Sequence, residues 1–113
     1  MSQITTHILD TAFGKPAGGI TIILYQQHDS EGWKEIANGM TNEDGRIPDL
    51  LAKDLVLPFG NYKMKFETKL YFDRQAAPAF YPFIEIIFEI NTIEHYHIPL
   101  LLSPFGYSTY RGS

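Results

Sequence analysis

The 113-residue sequence contains no cysteine, and basic side chains and long apolar runs are also scarce. The missing cysteine excludes disulfide scaffolds, thiolate metal sites and cysteine nucleophiles. Nine Lys and Arg against thirteen Asp and Glu give a formal charge of −4, without the basic stripe that phosphate contacts need, so we expect no nucleic-acid partner. The longest apolar runs, such as residues 98–102, are far shorter than the roughly 20 residues that cross a bilayer, so we expect no membrane partner.

The N-terminus has neither the basic segment nor the apolar segment of a signal peptide, which predicts a cytoplasmic location. What the chain does contain is an apolar, aromatic-rich composition, with 44% of residues in the AVILMFWYC set, seven Tyr and eight Phe. That composition is too apolar for a disordered chain. The length fits one domain over residues 1–113, because two domains would leave neither half a sufficient core.

Alternation of apolar and polar side chains is the main structural signal. It is clearest in residues 61–67, where Tyr62, Met64 and Phe66 alternate with polar neighbours, as expected of a half-buried strand. One short helix is predicted from Thr68, as its N-cap, through Gln75. The predicted strands are Ile4–Asp10 and residues 20–28, 33–40, 61–67, 83–90, 95–102 and 106–111, with residues 29–32 as a hairpin turn. We therefore predict an all-β fold, an antiparallel β-sandwich of seven to eight strands with one short helix.

The predicted strand over residues 95–102 has one face that a sandwich core does not explain. The face that fits a core carries Tyr96, Ile98, Leu100 and Leu102. The opposite face carries His95, His97, Pro99 and Leu101. A mixed apolar and imidazole surface of this kind is typical of a subunit interface or a ligand groove.

Histidine is the natural proton shuttle near neutral pH, and the sequence has four, at His7, His28, His95 and His97. Taken singly, each is more typical of a structural or solvated residue, His28 in particular because its neighbours are polar. His95 and His97 share one strand face, a spacing that divalent metals use when a third ligand approaches from elsewhere. No third ligand is identifiable from the sequence, and alternation produces His-x-His by chance, so the metal interpretation is the weaker one.

Arg46 and the C-terminal residues 106–113 can each be interpreted as structural or as functional. Arg46 follows a tight Asp-Gly turn, which fixes the direction of its planar donor group. The local sequence favours an ion pair with Glu43 or Asp44 over a ligand contact. Residues 106–113 place an aromatic ring, a guanidinium and a hydroxyl close to the α-carboxylate, which is either a plain edge strand or the lining of a pocket.

Three segments together resemble the transthyretin-related proteins that act as 5-hydroxyisourate hydrolases. Residues 6–10 (THILD) and 14–17 (GKPA) are similar to the family's opening signature, and residues 41–46 (TNEDGR) are similar to its turn and arginine. Residues 95–113 end in Tyr-Arg-Gly-Ser and carry the most specific likeness. Residues 80–85 also match, so the resemblance covers essentially the whole chain.

The resemblance implies a reaction and the residues that perform it. The reaction is hydrolysis of the cyclic amide of 5-hydroxyisourate to 2-oxo-4-hydroxy-4-carboxy-5-ureidoimidazoline, in urate degradation. The implied catalytic residues are His7, Arg46, His97 and Ser113. The implied substrate-binding residues are His7, Arg46, Tyr110 and Arg111. The resemblance also implies a homotetramer, a dimer of dimers with its sites in a channel between the dimers, and neither a cofactor nor a metal.

The sequence leaves open which residue plays which role in the hydrolysis and whether the protein is an enzyme or a carrier. Hydrolysis needs a neutral histidine as base, donors for the oxyanion and a proton for the leaving nitrogen, and the sequence does not decide whether His7 or His97 is the base. Water attack is preferred to a covalent route through Ser113, which needs a base at hydrogen-bond distance. The rival function is a non-catalytic carrier of a planar small molecule with the same fold, and the Tyr-Arg-Gly-Ser ending favours the enzyme.

Overall fold

Two four-stranded sheets form the framework of the computed structural model, which describes residues 2–30 and 32–113. The first sheet has the strand order β2-β1-β7-β8 and the second the order β4-β3-β5-β6. The strands are β1 Ile4–Asp10, β2 Lys15–Pro16, β3 Thr21–His28, β4 Gly32–Met40, β5 Gly60–Phe66, β6 Ile84–Ile90, β7 Tyr96–Ser103 and β8 Gly106–Thr109, and the helix is α1 Thr68–Arg74. The predicted β-sandwich with one short helix is confirmed; the two-residue strand β2 was not predicted.

Strand pairing departs from the prediction at one place, between β1 and β7. These two strands are parallel, whereas every other pairing in the part of the chain that the structure describes is antiparallel. The chain leaves the first sheet after β2 and returns at β7 only after it has built the second sheet, so β7 enters beside β1 in the same direction. A long crossover of this kind is what a parallel pair requires.

The core takes its side chains from the inward faces of both sheets. On β5 the predicted alternation is confirmed, because Tyr62, Met64 and Phe66 are fully buried. Ile22 and Leu24 from β3 are fully buried in the same cluster, which also includes inward residues of β1 and β7. Burial of this apolar surface is the main stabilising term of the fold.

Helix α1 begins one residue earlier than predicted. Thr68 is its first helical residue, and Glu67 occupies the N-cap position without a side-chain cap hydrogen bond, so the prediction of Thr68 as N-cap is wrong. Thr68 lies inside the helix rather than at the cap position, and it is buried. The helix ends at Arg74 rather than Gln75. On its buried side, Tyr71 donates a hydrogen bond of 2.7 Å to Asp10 Oδ2, and burial with this contact raises the pKa of Tyr71 to about 12.

The chain ends differ from the predicted strands in detail. Strand β8 stops at Thr109 instead of reaching Arg111, and after this break the antiparallel pairing with β7 resumes at an isolated bridge, where Gly112 N donates to His97 O at 2.9 Å. The predicted hairpin between β3 and β4 is confirmed by the pairing of His28 with Gly32, although Glu31 in its turn lies outside the described residues. No helix in the ranges described is long and apolar enough to span a bilayer.

Candidate active site

The outward face of β7 and β1 carries the candidate site. As predicted, the other face of β7 is core, since Ile98, Leu100 and Leu102 are buried. On the outward face His97 is half-buried and His95 is exposed. Pro99 is buried as well, so the outward face is less open than the sequence alone indicates.

His97 is held from two directions. Thr5 is its register partner on the parallel strand β1, and Thr5 Oγ1 lies 2.8 Å from His97 Nδ1. The C-terminal segment packs on the imidazole, and a Cβ atom at Gly112 would lie 2.5 Å from His97 Cδ2. Only glycine therefore fits at residue 112 without displacing the ring, and Ser113 follows directly.

Arg46 reaches His7 because a tight turn docks on β1. Gly45 has φ +75°, the left-handed conformation that favours glycine, and a Cβ there would lie 2.5 Å from the carbonyl oxygen of Ile8. Asn42 Oδ1 accepts from Arg46 N at 3.1 Å and closes the turn. Arg46 Nη2 then lies 3.4 Å from His7 Nδ1. Among the described residues Arg46 makes no ion pair with Glu43 or Asp44, so the ion pair that the local sequence favours is wrong.

Three of the predicted catalytic residues line one open cleft of about 500 Å³. Arg46, His97 and Ser113 come from a turn, a strand and the C-terminus, and the fold brings them together. His7 lies beside Arg46 but is not among the lining residues. The full lining is Thr5, Thr6, Arg46, Ile47, Pro48, Asp49, His95, His97 and Ser113.

Tyr110 and Arg111 lie at a second, smaller cavity of about 260 Å³, which His97 also lines. The guanidinium carbon of Arg111 sits 4.5 Å from the ring centre of Tyr96, and Arg111 Nη2 is 3.8 Å from Glu94 Oε2. Stacking on an aromatic ring orients the planar group. In a single chain, these two predicted substrate-binding residues therefore neighbour the main cleft rather than line it.

Both site histidines are neutral at neutral pH. Burial lowers the pKa of His97, and nearby His95, Arg46 and His7 lower it further. Burial and then Arg46 lower the pKa of His7, against an opposing contribution from the backbone and carboxylate of Asp44. A neutral imidazole can accept a proton as a base at its bare nitrogen and donate a hydrogen bond from its N–H.

Residues that line the cleft but were not predicted from the sequence include Thr5 and the wall formed by Ile47, Pro48 and Asp49. The signal for Thr5 was its place two residues before His7 on a predicted strand, which puts both side chains on the same face. The parallel register to β7, which brings Thr5 to His97, has no local signal. As for metals, the residues described contain no group of three or more His, Asp or Glu arranged to hold an ion.

Comparisons with known proteins show the family to which this fold belongs. Residues 4–112 match the HIUase/Transthyretin family. The chain is 46% identical over 111 residues to the 5-hydroxyisourate hydrolase of Salmonella dublin, with 97% of this chain and 80% of that protein covered. Among solved structures, the 5-hydroxyisourate hydrolase of Klebsiella pneumoniae is similar with a TM-score of 0.84, 39% identity and coverage of 97% and 98%. Sea bream transthyretin in complex with thyroxine is similar with a TM-score of 0.91, 34% identity and coverage of 98% and 95%.

Proposed function

The chain belongs to the HIUase/Transthyretin family, and from that premise we propose that it hydrolyses 5-hydroxyisourate, with the open cleft as its active site. The reaction opens the six-membered ring at a cyclic amide and gives 2-oxo-4-hydroxy-4-carboxy-5-ureidoimidazoline, as a step of urate degradation. The observation that carries the assignment of the site is that Arg46, His97 and Ser113, remote in sequence, line one cleft, with His7 against Arg46.

His97 is the base that removes a proton from the attacking water. It lines the cleft and is neutral, because burial lowers its pKa. His7 is placed for the opposite task. A guanidinium is only a donor, so the contact of Arg46 Nη2 with His7 Nδ1 makes Nδ1 the acceptor and leaves the proton of neutral His7 on Nε2. His7 therefore donates a hydrogen bond to the leaving ring nitrogen, and the proton that His97 took from the water passes to that nitrogen as the C–N bond breaks, which returns both histidines to the neutral form.

Arg46 stabilises the oxyanion that forms as water adds to the ring carbonyl. Its turn is fixed by backbone hydrogen bonds, so the positive charge is in place before the reaction begins. Preorganised donors of this kind contribute about 10²- to 10³-fold to the rate. The contribution depends on exclusion of water from the site, because charges interact more strongly in a low dielectric.

Water, rather than Ser113, is the nucleophile. Ser113 lines the cleft, but its hydroxyl has no hydrogen bond to either histidine in the structure described. A serine needs an adjacent base to become a nucleophile. Ser113 instead shapes the cleft beside His97 and donates to substrate. Detection of an acyl-Ser113 intermediate by mass spectrometry after rapid quench would overturn this assignment.

A homotetramer, built as a dimer of dimers, completes the site. In one chain the cleft is open and Arg46 and Ser113 are exposed. Strands β6 and β8 each end a sheet with an unpaired edge, and Ile87 on β6 is 62% exposed. Unpaired edges of this kind are templates for pairing with a second copy. Tyr110 and Arg111 then bind substrate from the neighbouring cavity, once a partner chain closes the channel. Light scattering would detect the tetramer, and an active monomer would exclude it.

The second candidate function is a carrier that holds a planar small molecule without changing it. The similarity to sea bream transthyretin in complex with thyroxine favours this candidate. The two neutral histidines and Arg46 favour the enzyme, since a carrier has no use for a base beside an oxyanion donor. A cytoplasmic location stays a prediction, which cell fractionation tests.

The deciding experiment generates 5-hydroxyisourate in situ from urate with urate oxidase and follows its ultraviolet decay. The wild-type protein accelerates the decay. His7→Ala, Arg46→Ala and a chain that lacks Ser113 lose most of that acceleration, by about 100-fold or more for the first two. His28→Ala and Arg74→Ala are matched controls, because both residues lie outside the site, and they keep full activity. Unaccelerated decay with folded wild-type protein would contradict the hydrolase assignment.

A further inference from the structure

The hydroxyl of Thr5 lies between two imidazoles. Thr5 Oγ1 is 2.8 Å from His97 Nδ1 and 2.7 Å from His95 Nε2. The two rings are stacked, with centres 6.2 Å apart and planes 28° apart. Both distances are those of strong hydrogen bonds, so this hydroxyl joins the exposed His95 to the half-buried His97, and both histidines line the cleft.

The single hydrogen of the hydroxyl links the protonation of the two rings. A threonine hydroxyl donates one hydrogen bond and accepts others, and a neutral imidazole has one N–H and one bare nitrogen. If Thr5 donates to His95 Nε2, it accepts from a protonated His97 Nδ1. If it donates to His97 Nδ1 instead, His95 Nε2 must carry the proton. The two arrangements put opposite tautomers of His97 at the cleft.

We propose that Thr5 is a positioning residue that holds His97 in the tautomer that acts as base. Thr5 accepts the Nδ1 proton of His97 and gives its own hydrogen to His95 Nε2, which leaves the lone pair on His97 Nε2. This inference rests on the proposed function, in which His97 removes a proton from water. His97 Nε2 takes that proton, the ring becomes an imidazolium, and its Nδ1–H stays bound to Thr5.

The surroundings keep this arrangement in place. Thr5 and His97 are register partners on paired strands, so their backbones cannot drift apart independently. Gly112 packs so closely on the His97 ring that a Cβ atom there would lie 2.5 Å from His97 Cδ2. Arg46 and His7 face His97 from the turn and from β1, and both disfavour a second proton on it. The hydrogen bond at one ring nitrogen fixes which form the other nitrogen presents.

The kinetic test compares Thr5→Val, which keeps the shape and removes the hydroxyl, with Thr5→Ser, which keeps the hydroxyl. We expect Thr5→Val to lower kcat for 5-hydroxyisourate by about 10- to 100-fold with KM changed less than about threefold, and Thr5→Ser to restore at least half of the wild-type kcat. Thr11→Val is the matched control, because the Thr11 hydroxyl donates to the backbone oxygen of Leu102, away from the two histidines, and it keeps wild-type activity. Wild-type kcat in a folded Thr5→Val protein would overturn the proposal.

A second readout needs no substrate. In ¹⁵N-labelled protein, two-dimensional spectra of the histidine rings report which nitrogen carries the proton. We expect His97 to be protonated at Nδ1 in the wild type and in Thr5→Ser, and to shift toward the Nε2–H form in Thr5→Val. A wild-type His97 protonated at Nε2 would overturn the proposal. Because this reading does not depend on turnover, loss of the hydrolase assignment and loss of the tautomer assignment are distinguishable.

Discussion

The two faces of β7 differ in what they contribute to the protein. On the inward face Leu100 is fully buried and Ile98 and Leu102 nearly so, and these side chains stabilise the fold. On the outward face, one residue away, His97 is half-buried and hydrogen-bonded to Thr5. The period of two along a strand thus separates stability from chemistry within a single element. Substitutions on the two faces are expected to change different measurements.

The largest expected effect is on the outward face. His97→Ala removes the base while the strand keeps its backbone pairing, so we expect kcat/KM to fall by about 10²- to 10⁴-fold. The melting temperature should move by no more than a few degrees, because the half-buried ring contributes little to the core. Turnover of 5-hydroxyisourate and thermal unfolding of the same preparation check both statements. A large fall in the melting temperature of His97→Ala would contradict the distinction between a stabilising inward face and a chemical outward face.

The inward face should give the opposite result. Leu100→Ala leaves a cavity in a fully buried position, so we expect the free energy of unfolding to fall by about 2–5 kcal/mol. The activity per folded molecule should stay near that of the wild type. Denaturant unfolding gives the first quantity and the initial rate at low denaturant gives the second. Loss of activity from a fully folded Leu100→Ala protein would show that the core also tunes the site.

Gly112 sharpens the comparison, since the three atoms nearest to a Cβ placed there all belong to the side chain of His97. In Gly112→Ala the new Cβ would lie 2.5 Å from His97 Cδ2 and push the ring from its position. We expect a loss of kcat of about tenfold or more, in line with the sensitivity of proton transfer to geometry. The matched control is Gly106→Ala, whose Cβ meets Ser103 Oγ at an ordinary 3.8 Å. Equal activities of the two variants would contradict the proposed packing of the tail on His97.

The smallest effect concerns pH. Burial, followed by His95, Arg46 and His7, lowers the pKa of His97 from its ordinary value of 6.5, so the base form should persist below that pH before activity falls. The stability of the folded protein should also decrease as the pH falls. Below about pH 6.5 the unfolded chain binds the proton first, so the free energy of unfolding decreases with falling pH until the folded pKa is passed. A pH–rate profile with its acid limb above pH 6.5 would contradict this prediction.

Whether a structural feature can be predicted from the sequence depends on whether it is set by neighbouring residues. The alternation that separates Leu100 from His97 is visible in the sequence, and so is the turn that presents Arg46, since Asp-Gly specifies a tight reversal. The partner of Thr5 is not visible, because a parallel register between strands about 90 residues apart has no local pattern. The prediction of Thr68 as N-cap is wrong by one residue, because the capping preference of a threonine does not by itself fix a helix boundary, and Glu67 occupies the cap position.

The most direct test of the division between the two faces of β7 compares the rates of two variants, one on each face. His97→Ala and Leu100→Ala are assayed for 5-hydroxyisourate decay at pH 7.5 and at equal concentrations of folded protein, measured from their unfolding curves. The account predicts that His97→Ala is slower than Leu100→Ala by about 100-fold or more. Equal rates of the two variants would contradict the claim that the outward face of β7 performs the chemistry.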